Sequence, residues 1–319
     1  MTITDRRRAV VALAAAGLAW GTTVPLSKLA LGWLSPGWLT VGRFGLASAV
    51  LLVVASRAGL RAAWTPRVLA TGAVGYGGSV VLQNAGITRT SVTHAALLIG
   101  AAPVLVAIIA AVWHRIVARP VAWAGFAVSL AGVAFITGGH GGGATVSGDA
   151  LVLASLLLSA ANTVAQGRLL QGRDPVAVTA VQFLGAAVAV LPFAVATGGL
   201  PAAPASAGPV LAAAALTIAG TLVPFTLFAY GQKRVSAELA GAFLNLEPLV
   251  GAIAGVLFFG DPTGPAQVAG GAAIIVGIAL SSLPLLGGRR RWPRSARRLT
   301  PVHGIQISGE TSPASPMVI

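Results

Sequence analysis

Residues 243–251 read FLNLEPLVG, and they set a carboxylate (Glu247) and an amide (Asn245) at the centre of a run from Ala237 to Phe259 that is otherwise apolar past Glu238 at its edge. The whole chain has only seven acidic residues. An unpaired carboxylate at the centre of a bilayer costs about 2.5–3.5 kcal/mol on insertion scales, so its presence at depth points to a use. Glu247 lies ten residues from one end of the run and twelve from the other. At that depth a carboxyl can exchange a proton, hold a cationic solute group, or pair with a buried cation. Arg43, seven residues into the apolar stretch 37–56, is its cationic counterpart. Arg43 can draw in a substrate carboxylate, pair with Glu247, or extend to the membrane interface. Trp20 sits mid-stretch, where it can wall a cavity. Asn84, Asn162, Gln182, Tyr230 and Asn245, with Gln83 and Gln166, add polar groups at depth. Singly such groups suit bridges between helices; as a set they imply a polar-lined cavity. Glu247, Arg43, Trp20, Asn245, Asn84, Asn162, Gln182 and Tyr230 are therefore the candidate substrate-binding or ion-coupling residues. Pro103 and Pro248 each remove a helix hydrogen bond and free the carbonyl four residues earlier, so kinks with structural and gating roles are expected there. His94, at a helix start, is expected to touch water, and Lys28 to reach for the outer interface.

Other chemistries lack their residues. There is no cysteine, and His94, His114, His140 and His303 show no metal-ligand spacing. No second deep carboxylate accompanies Glu247, so intramembrane hydrolysis lacks its paired acid and base. Neither an enzyme nor a cofactor or metal is expected. The run GGHGGGATVSG (138–148) lacks the Gly-Lys-Ser/Thr ending of a phosphate loop and reads as a flexible linker.

These candidates must be held by membrane helices. Of the 319 residues, 56% are hydrophobic and 9% charged, against about 25% charged in soluble domains, and the mean hydropathy is +0.86. Ten apolar stretches of about span length emerge, at 9–31, 37–56, 68–87, 93–112, 120–138, 149–170, 175–197, 209–230, 237–259 and 265–286. The fold class is thus an all-α integral membrane protein with ten transmembrane helices. Residues 287–319, basic and then Ser/Pro-rich, are expected to be a disordered tail.

With the amino terminus (1–8) in the cytoplasm, inside segments hold 18 of the 21 Lys and Arg, and only Lys28 and Arg89 fall outside. That bias sets both termini inside. Trp33 and Trp38 mark the outer interface, and Trp64, Trp113 and Trp123 the inner one. The net charge of +14 is then a topology signal, and no nucleic-acid partner is expected. Many alanines and arginines with two lysines suggest a GC-rich bacterial genome, hence a multi-pass protein of the bacterial inner membrane.

Sliding the chain by 145 residues lays GITRTSVTHAALLIGAAPVLVAII over GQKRVSAELAGAFLNLEPLVGAIA. From 86 to 134 there are 13 identities in 49 positions, among them Pro103 with Pro248, Gly125 with Gly270, and Gly132 with Gly277. Ser35-Pro36 and Asp174-Pro175 pair at an offset of 139. Repeat 1 (9–138) and repeat 2 (149–286) hold five spans each, joined by an extracytoplasmic linker (139–148). Five is odd, so the second repeat enters from the opposite face. Inverted repeats are a recurrent basis of alternating access, with the site between repeats near the midplane. Glu247 falls opposite Ala102 and Arg43 opposite Gln182. The proline belongs to both halves, the glutamate to one.

The chain resembles the drug/metabolite transporter superfamily, specifically ten-span EamA-type proteins. The resemblance covers about 9–285. It rests on GLAWGTTVPLSKLAL, GRFGLASAVLL, AALLIGAAPVLVAIIA, RPVAWAGFAVSLAGVAFI and NLEPLVGAIAGVLFFGDPTGPAQVAGGAAIIVGIAL. Where the family has Gly-Glu after the fourth and ninth spans, this chain has His114-Arg115 and Gly260-Asp261. The resemblance implies export of small metabolites or xenobiotics driven by the proton gradient. The expected function is proton-coupled secondary export of a small metabolite or drug-like compound. An uptake permease or a facilitator or channel of the same fold is the alternative. Expected partners are the small-molecule substrate, protons and membrane lipid, with a homodimer left open.

Overall fold

Cap residues followed by proline start several helices where the sequence places them. The computed structural model describes residues 3–114, 120–138, 144–170, 172–232 and 246–286. Among these, every regular element is a helix. The first half runs α1 (Ile3–Gly21), α2 (Thr23–Ala30), α3 (Pro36–Val54), α4 (Arg57–Ala63), α5 (Pro66–Thr71), a π-helical segment π1 (Gly72–Gly78), α6 (Ser79–Ile87), α7 (Val92–Ile99), α8 (Ala102–His114) and α9 (Pro120–Gly138). The second half runs α10 (Val146–Leu169), α11 (Pro175–Gly198), α12 (Ala207–Thr217), a second π segment π2 (Ile218–Leu222), α13 (Val223–Gln232), α14 (Leu246–Phe259) and α15 (Pro265–Leu286). Ser35 caps α3 by accepting from the Trp38 amide, and Asp174 caps α11 by accepting from the Val176 amide. Pro36 and Pro175 follow these caps, where a missing N–H costs nothing.

Among the described residues, five stretches are long and apolar enough to cross a membrane: Arg7–Ala30, Pro36–Val54, Val146–Gln166, Pro175–Gly198 and Ala207–Phe228. Val92–Val106, Trp123–Ile136, Leu246–Phe259 and Pro265–Gly277 are shorter apolar stretches. The stretch expected at 68–87 is α5, π1 and α6, and glycines fill its centre. Two local features differ from expectation. The connection 57–67 contains α4, capped by Ser56 through the Gly59 amide. The linker expected to end at 148 gives way to helix at Val146, because Thr145 caps α10 by accepting from the Gly148 amide.

α9 and α15 pack together along their lengths. A Cβ on Gly132 would stand 2.5 Å from the Gly270 carbonyl oxygen, and one on Gly277 would stand 2.5 Å from that of Gly125. Offset by 145, Gly125 becomes Gly270 and Gly132 becomes Gly277, so each contact turns into the other. A twofold relation between the two halves would produce that exchange. The same glycines let the helix backbones approach closely. Replacing Gly132 by Val should therefore overpack the crossing and cost about 1–3 kcal/mol, read as a lower unfolding midpoint in detergent. A Cβ on Gly42 meets nothing within 4 Å. Gly42→Ala should leave the midpoint unchanged or raise it.

Candidate substrate and ion site

Arg43 projects from α3 onto the second π segment. Its Nε donates to Thr221 Oγ1 at 2.7 Å and its Nη2 to the Gly220 carbonyl at 3.1 Å. The guanidinium carbon stands 5.5 Å from the Phe44 ring centroid. A π segment shifts the backbone register by one residue and leaves carbonyls free for other donors; the Gly220 oxygen serves Arg43 in that way. Thr221 Oγ1 in turn donates to the Leu216 carbonyl, five residues back. Arg43 is thus held against the second π segment.

Glu247 lies in the first turn of α14, and Arg43 and Glu247 interact electrostatically. They do not close a salt bridge. Each keeps part of its surface accessible. α1 approaches α14 through Gly21, where an added Cβ would stand 2.4 Å from Val250 Cβ and 3.1 Å from the Glu247 carbonyl oxygen. The Gly17-x-x-x-Gly21 and Gly251-x-x-x-Gly255 spacings, weak as sequence signals, contain real contacts: Gly251 faces Ala96 Cβ and Gly255 faces Thr93. Immediately after Gly21 the first span breaks, with Thr22 between α1 and α2. Thr23 reaches to within 3.1 Å of a Cβ placed on Gly220. The broken first span, the π segment, Arg43 and Glu247 therefore meet in one region.

Trp20 adjoins that region and leads an aromatic chain. Its ring centroid is 5.4 Å from Phe225 and 5.2 Å from Phe228. Phe225 is 5.8 Å from Phe183, which is 4.8 Å from Phe44 and 5.1 Å from Tyr76. Beyond Tyr76 lies a carboxamide cluster. Gln166 Nε2 donates to Tyr76 Oη at 3.2 Å and to Gln182 Oε1 at 3.0 Å, and Gln182 Nε2 donates to Thr71 Oγ1 at 3.0 Å. A Cβ on Gly75 would stand 2.2 Å from the Asn162 carboxamide carbon, so π1 packs directly on Asn162. Two buried acceptors here, Asn162 Oδ1 and Gln166 Oε1, have no hydrogen-bond partner among the described residues. Such groups are costly to leave unsatisfied, and they give the cluster unused capacity for a donor.

The other expected residues divide. Asn84 donates to Thr40 Oγ1 at 3.1 Å and bridges α6 to α3, one turn from Arg43. Pro103 falls just after a break between α7 and α8 at Gly100 and Ala101. Pro248 is buried, and its Cβ lies 2.9 Å from a Cβ placed on Gly100, so it packs on that break. Asn245 and the side chain of Tyr230 lie outside the described residues. The Lys28 Nζ donates to the Ile87 carbonyl at 2.6 Å and the Thr90 carbonyl at 2.8 Å, capping the end of α6. His94 is not at water: it is 2% exposed and bonded to Asp149, a residue the sequence did not single out. Two surface clefts of about 380 and 390 Å³, at α7–α14–α15 and at α1–α13, have largely apolar walls and hold none of the expected site residues.

The π segments and Thr221 were not foreseen either. Their sequence signal is the glycine-rich run GAVGYGG and its counterpart IAGTL. Offset by 145, 72–78 falls on 217–223, which contains π2.

Apolar helices interrupted around two half-buried opposite charges, with a polar cluster alongside, define a multi-pass membrane transporter. The chain belongs to the EamA-like transporter family, whose model matches it twice, over residues 7–138 and 146–283. It is 29% identical over 301 residues to a "Probable terminal-alkyne amino-acid exporter" of Streptantibioticus cattleyicolor, across 91% of this chain and 99% of that one. It is 27% identical over 270 residues to an uncharacterized transporter of Archaeoglobus fulgidus, across 81% and 93%. A crystal structure 23% identical in sequence superposes with a TM-score of 0.64, across 88% of this chain and 99% of that one, and shares the fold.

Proposed function

We propose that the chain is a proton-coupled exporter of small zwitterions of the amino-acid type, working by alternating access in a bacterial inner membrane. Ten spans form two inverted five-helix repeats with both termini in the cytoplasm. The exchange of the Gly132–Gly270 and Gly277–Gly125 contacts under the repeat offset supports that arrangement. The observation that carries the function is the Arg43–Glu247 relation: opposite charges on different repeats, coupled yet unjoined. A zwitterion presents a carboxylate to the guanidinium and an ammonium to the carboxylate. A proton on Glu247 competes with that ammonium, so proton and substrate bind alternately and cross in opposite directions. The wider class of small metabolites and drug-like cations meets the same pair. The amino-acid choice draws support from the Streptantibioticus relative's name.

The test is uphill accumulation. Proteoliposomes loaded at lower pH than the bath should concentrate radiolabelled neutral amino acids against their gradient, and a protonophore should abolish this. Equilibration without accumulation would make the protein a facilitator. Accumulation only with the opposite gradient would make it a proton symporter, hence an uptake permease.

A further inference from the structure

A second group of buried titratable side chains lies at the far end of α7 from the Pro103 break. Asp149, in the first turn of α10, is 2% exposed. Its Oδ1 accepts from Thr90 Oγ1 at 2.6 Å, and its Oδ2 lies 3.2 Å from His94 Nδ1. The other ring nitrogen, His94 Nε2, lies 2.9 Å from Gln267 Nε2 on α15. Gln267 Oε1 accepts from the Gly264 amide at 3.0 Å. That last bond fixes the orientation of the Gln267 amide: its oxygen faces the α15 amino terminus and its NH2 faces the imidazole. An amide NH2 only donates, so His94 Nε2 must accept, and the ring proton sits on Nδ1 and is donated to Asp149. His94 is therefore neutral in this arrangement, and one imidazole ties α7 to both α10 and α15.

Adding a proton destroys that tie. A protonated His94 carries N–H on both nitrogens, so Nε2–H would face the Gln267 N–H groups. Turning the amide over relieves this only by setting its NH2 against the Gly264 N–H. The Asp149 bond survives and strengthens as a charge pair. The link to α15 is the one that fails.

The other charged groups around the cluster do not relieve the conflict. On the loop before α15, Asp261 Oδ2 accepts the Thr93 amide at 2.7 Å and acts coulombically on Lys28. Lys28, on α2, is engaged by the Ile87 and Thr90 carbonyls. Arg89, after α6, is exposed, and its carbonyl accepts Thr145 Oγ1. α9, which also packs on α7, has no charged residue along its described length.

We propose that His94 is a proton-binding site in its own right, and that proton binding there releases α15 from α7 at this end of the fold. With the orientation proposed above, this is the outer end, so external acid would loosen the outer contact of α15 with α7 while α7 stays tied to α10. Histidine is the side chain suited to such a switch, because its ordinary titration falls between about pH 5 and 8. The inference does not need the substrate assignment, and its test contains no substrate.

The chain lacks cysteine, so two introduced cysteines carry spin labels without background. Thr88, in the loop before α7, and Pro262, in the loop before α15, are exposed on the two sides of the His94–Gln267 link. Distances between labels at Thr88→Cys and Pro262→Cys should be narrow at about pH 8. At about pH 5.5 a longer component should gain roughly tenfold in population, the factor corresponding to about 1.4 kcal/mol. His94→Gln should make the distribution independent of pH. Gln267→Glu supplies a carboxylate that accepts from the protonated ring, so acid should no longer produce the longer component. Both variants are to be scored only after the unfolding midpoint shows a folded protein, and the Gln267→Glu result stands if His94→Gln does not fold. No pH-dependent change in the otherwise native pair, or the same change in either variant, would overturn the proposal.

Discussion

Proteoliposomes carrying Glu247→Gln are expected to show no substrate-driven proton movement above that of protein-free vesicles, while the protein keeps its unfolding midpoint. The substitution removes the titrating group and changes little else. Glutamine has nearly the shape of a protonated glutamate, so the packing of Pro248 on Gly100 and of Gly21 on Val250 stays intact. Substrate affinity should fall as well. A hydrogen bond between charged partners contributes about 1.5–3 kcal/mol, so losing the carboxylate should weaken a zwitterion by about tenfold or more. The measurement is a pH-sensitive dye trapped in the vesicles, read on addition of substrate, beside a binding assay on the same preparation. Undiminished proton movement would remove Glu247 from the coupling step. Lost movement with unaltered affinity would make it a proton carrier that does not touch the solute.

The legible part of this protein was the part governed by lone, expensive side chains. Glu247 and Arg43 announced themselves because a charge in an apolar run has few structural excuses. The repeat was legible because glycine, proline and cap residues have specific backbone uses: Gly125, Gly132, Gly270 and Gly277 recur at one offset and then meet at one crossing. Three-dimensional pairing was not legible. His94 reads as a helix-start residue in water until Asp149, 55 positions away, is folded against it. The sequence around Lys28 does not reveal its partners, two carbonyls at the end of α6. The π segments escaped because periodicity separates helix from strand, while a shift of one residue in hydrogen-bond register leaves the apolar pattern nearly unchanged. Gln182, noted as the repeat mate of Arg43, joins Gln166, Tyr76 and Thr71. A pseudo-symmetric position fixed its depth, and its neighbours fixed its partners.

Arg43 supports the strongest separation of function from stability. Arg43→Lys keeps the charge but replaces a planar fork by a single ammonium. It cannot hold the geometry of Thr221 Oγ1, the Gly220 carbonyl and the Phe44 face together. Substrate affinity should drop by about tenfold, while proton coupling through Glu247 persists. Arg43→Gln should do more. It leaves Glu247 without its cation and the π2 carbonyl without its strong donor, at a cost on the order of 1–3 kcal/mol in stability. Now add Glu247→Gln to Arg43→Gln. Removing both members of a charge pair is close to neutral, whereas removing Arg43 alone leaves Glu247 uncompensated; Arg43 without Glu247 still has Thr221 Oγ1 and the Gly220 carbonyl as acceptors. The double variant should therefore recover part of the unfolding midpoint lost in Arg43→Gln and still transport nothing. If the pair existed only to hold α3 and α14 together, the stability rescue would bring transport back with it. If the two charges acted separately, the double variant would be as unstable as the sum of the single ones. Recovery of the midpoint without recovery of transport is the result expected of charges kept apart to receive a solute between them.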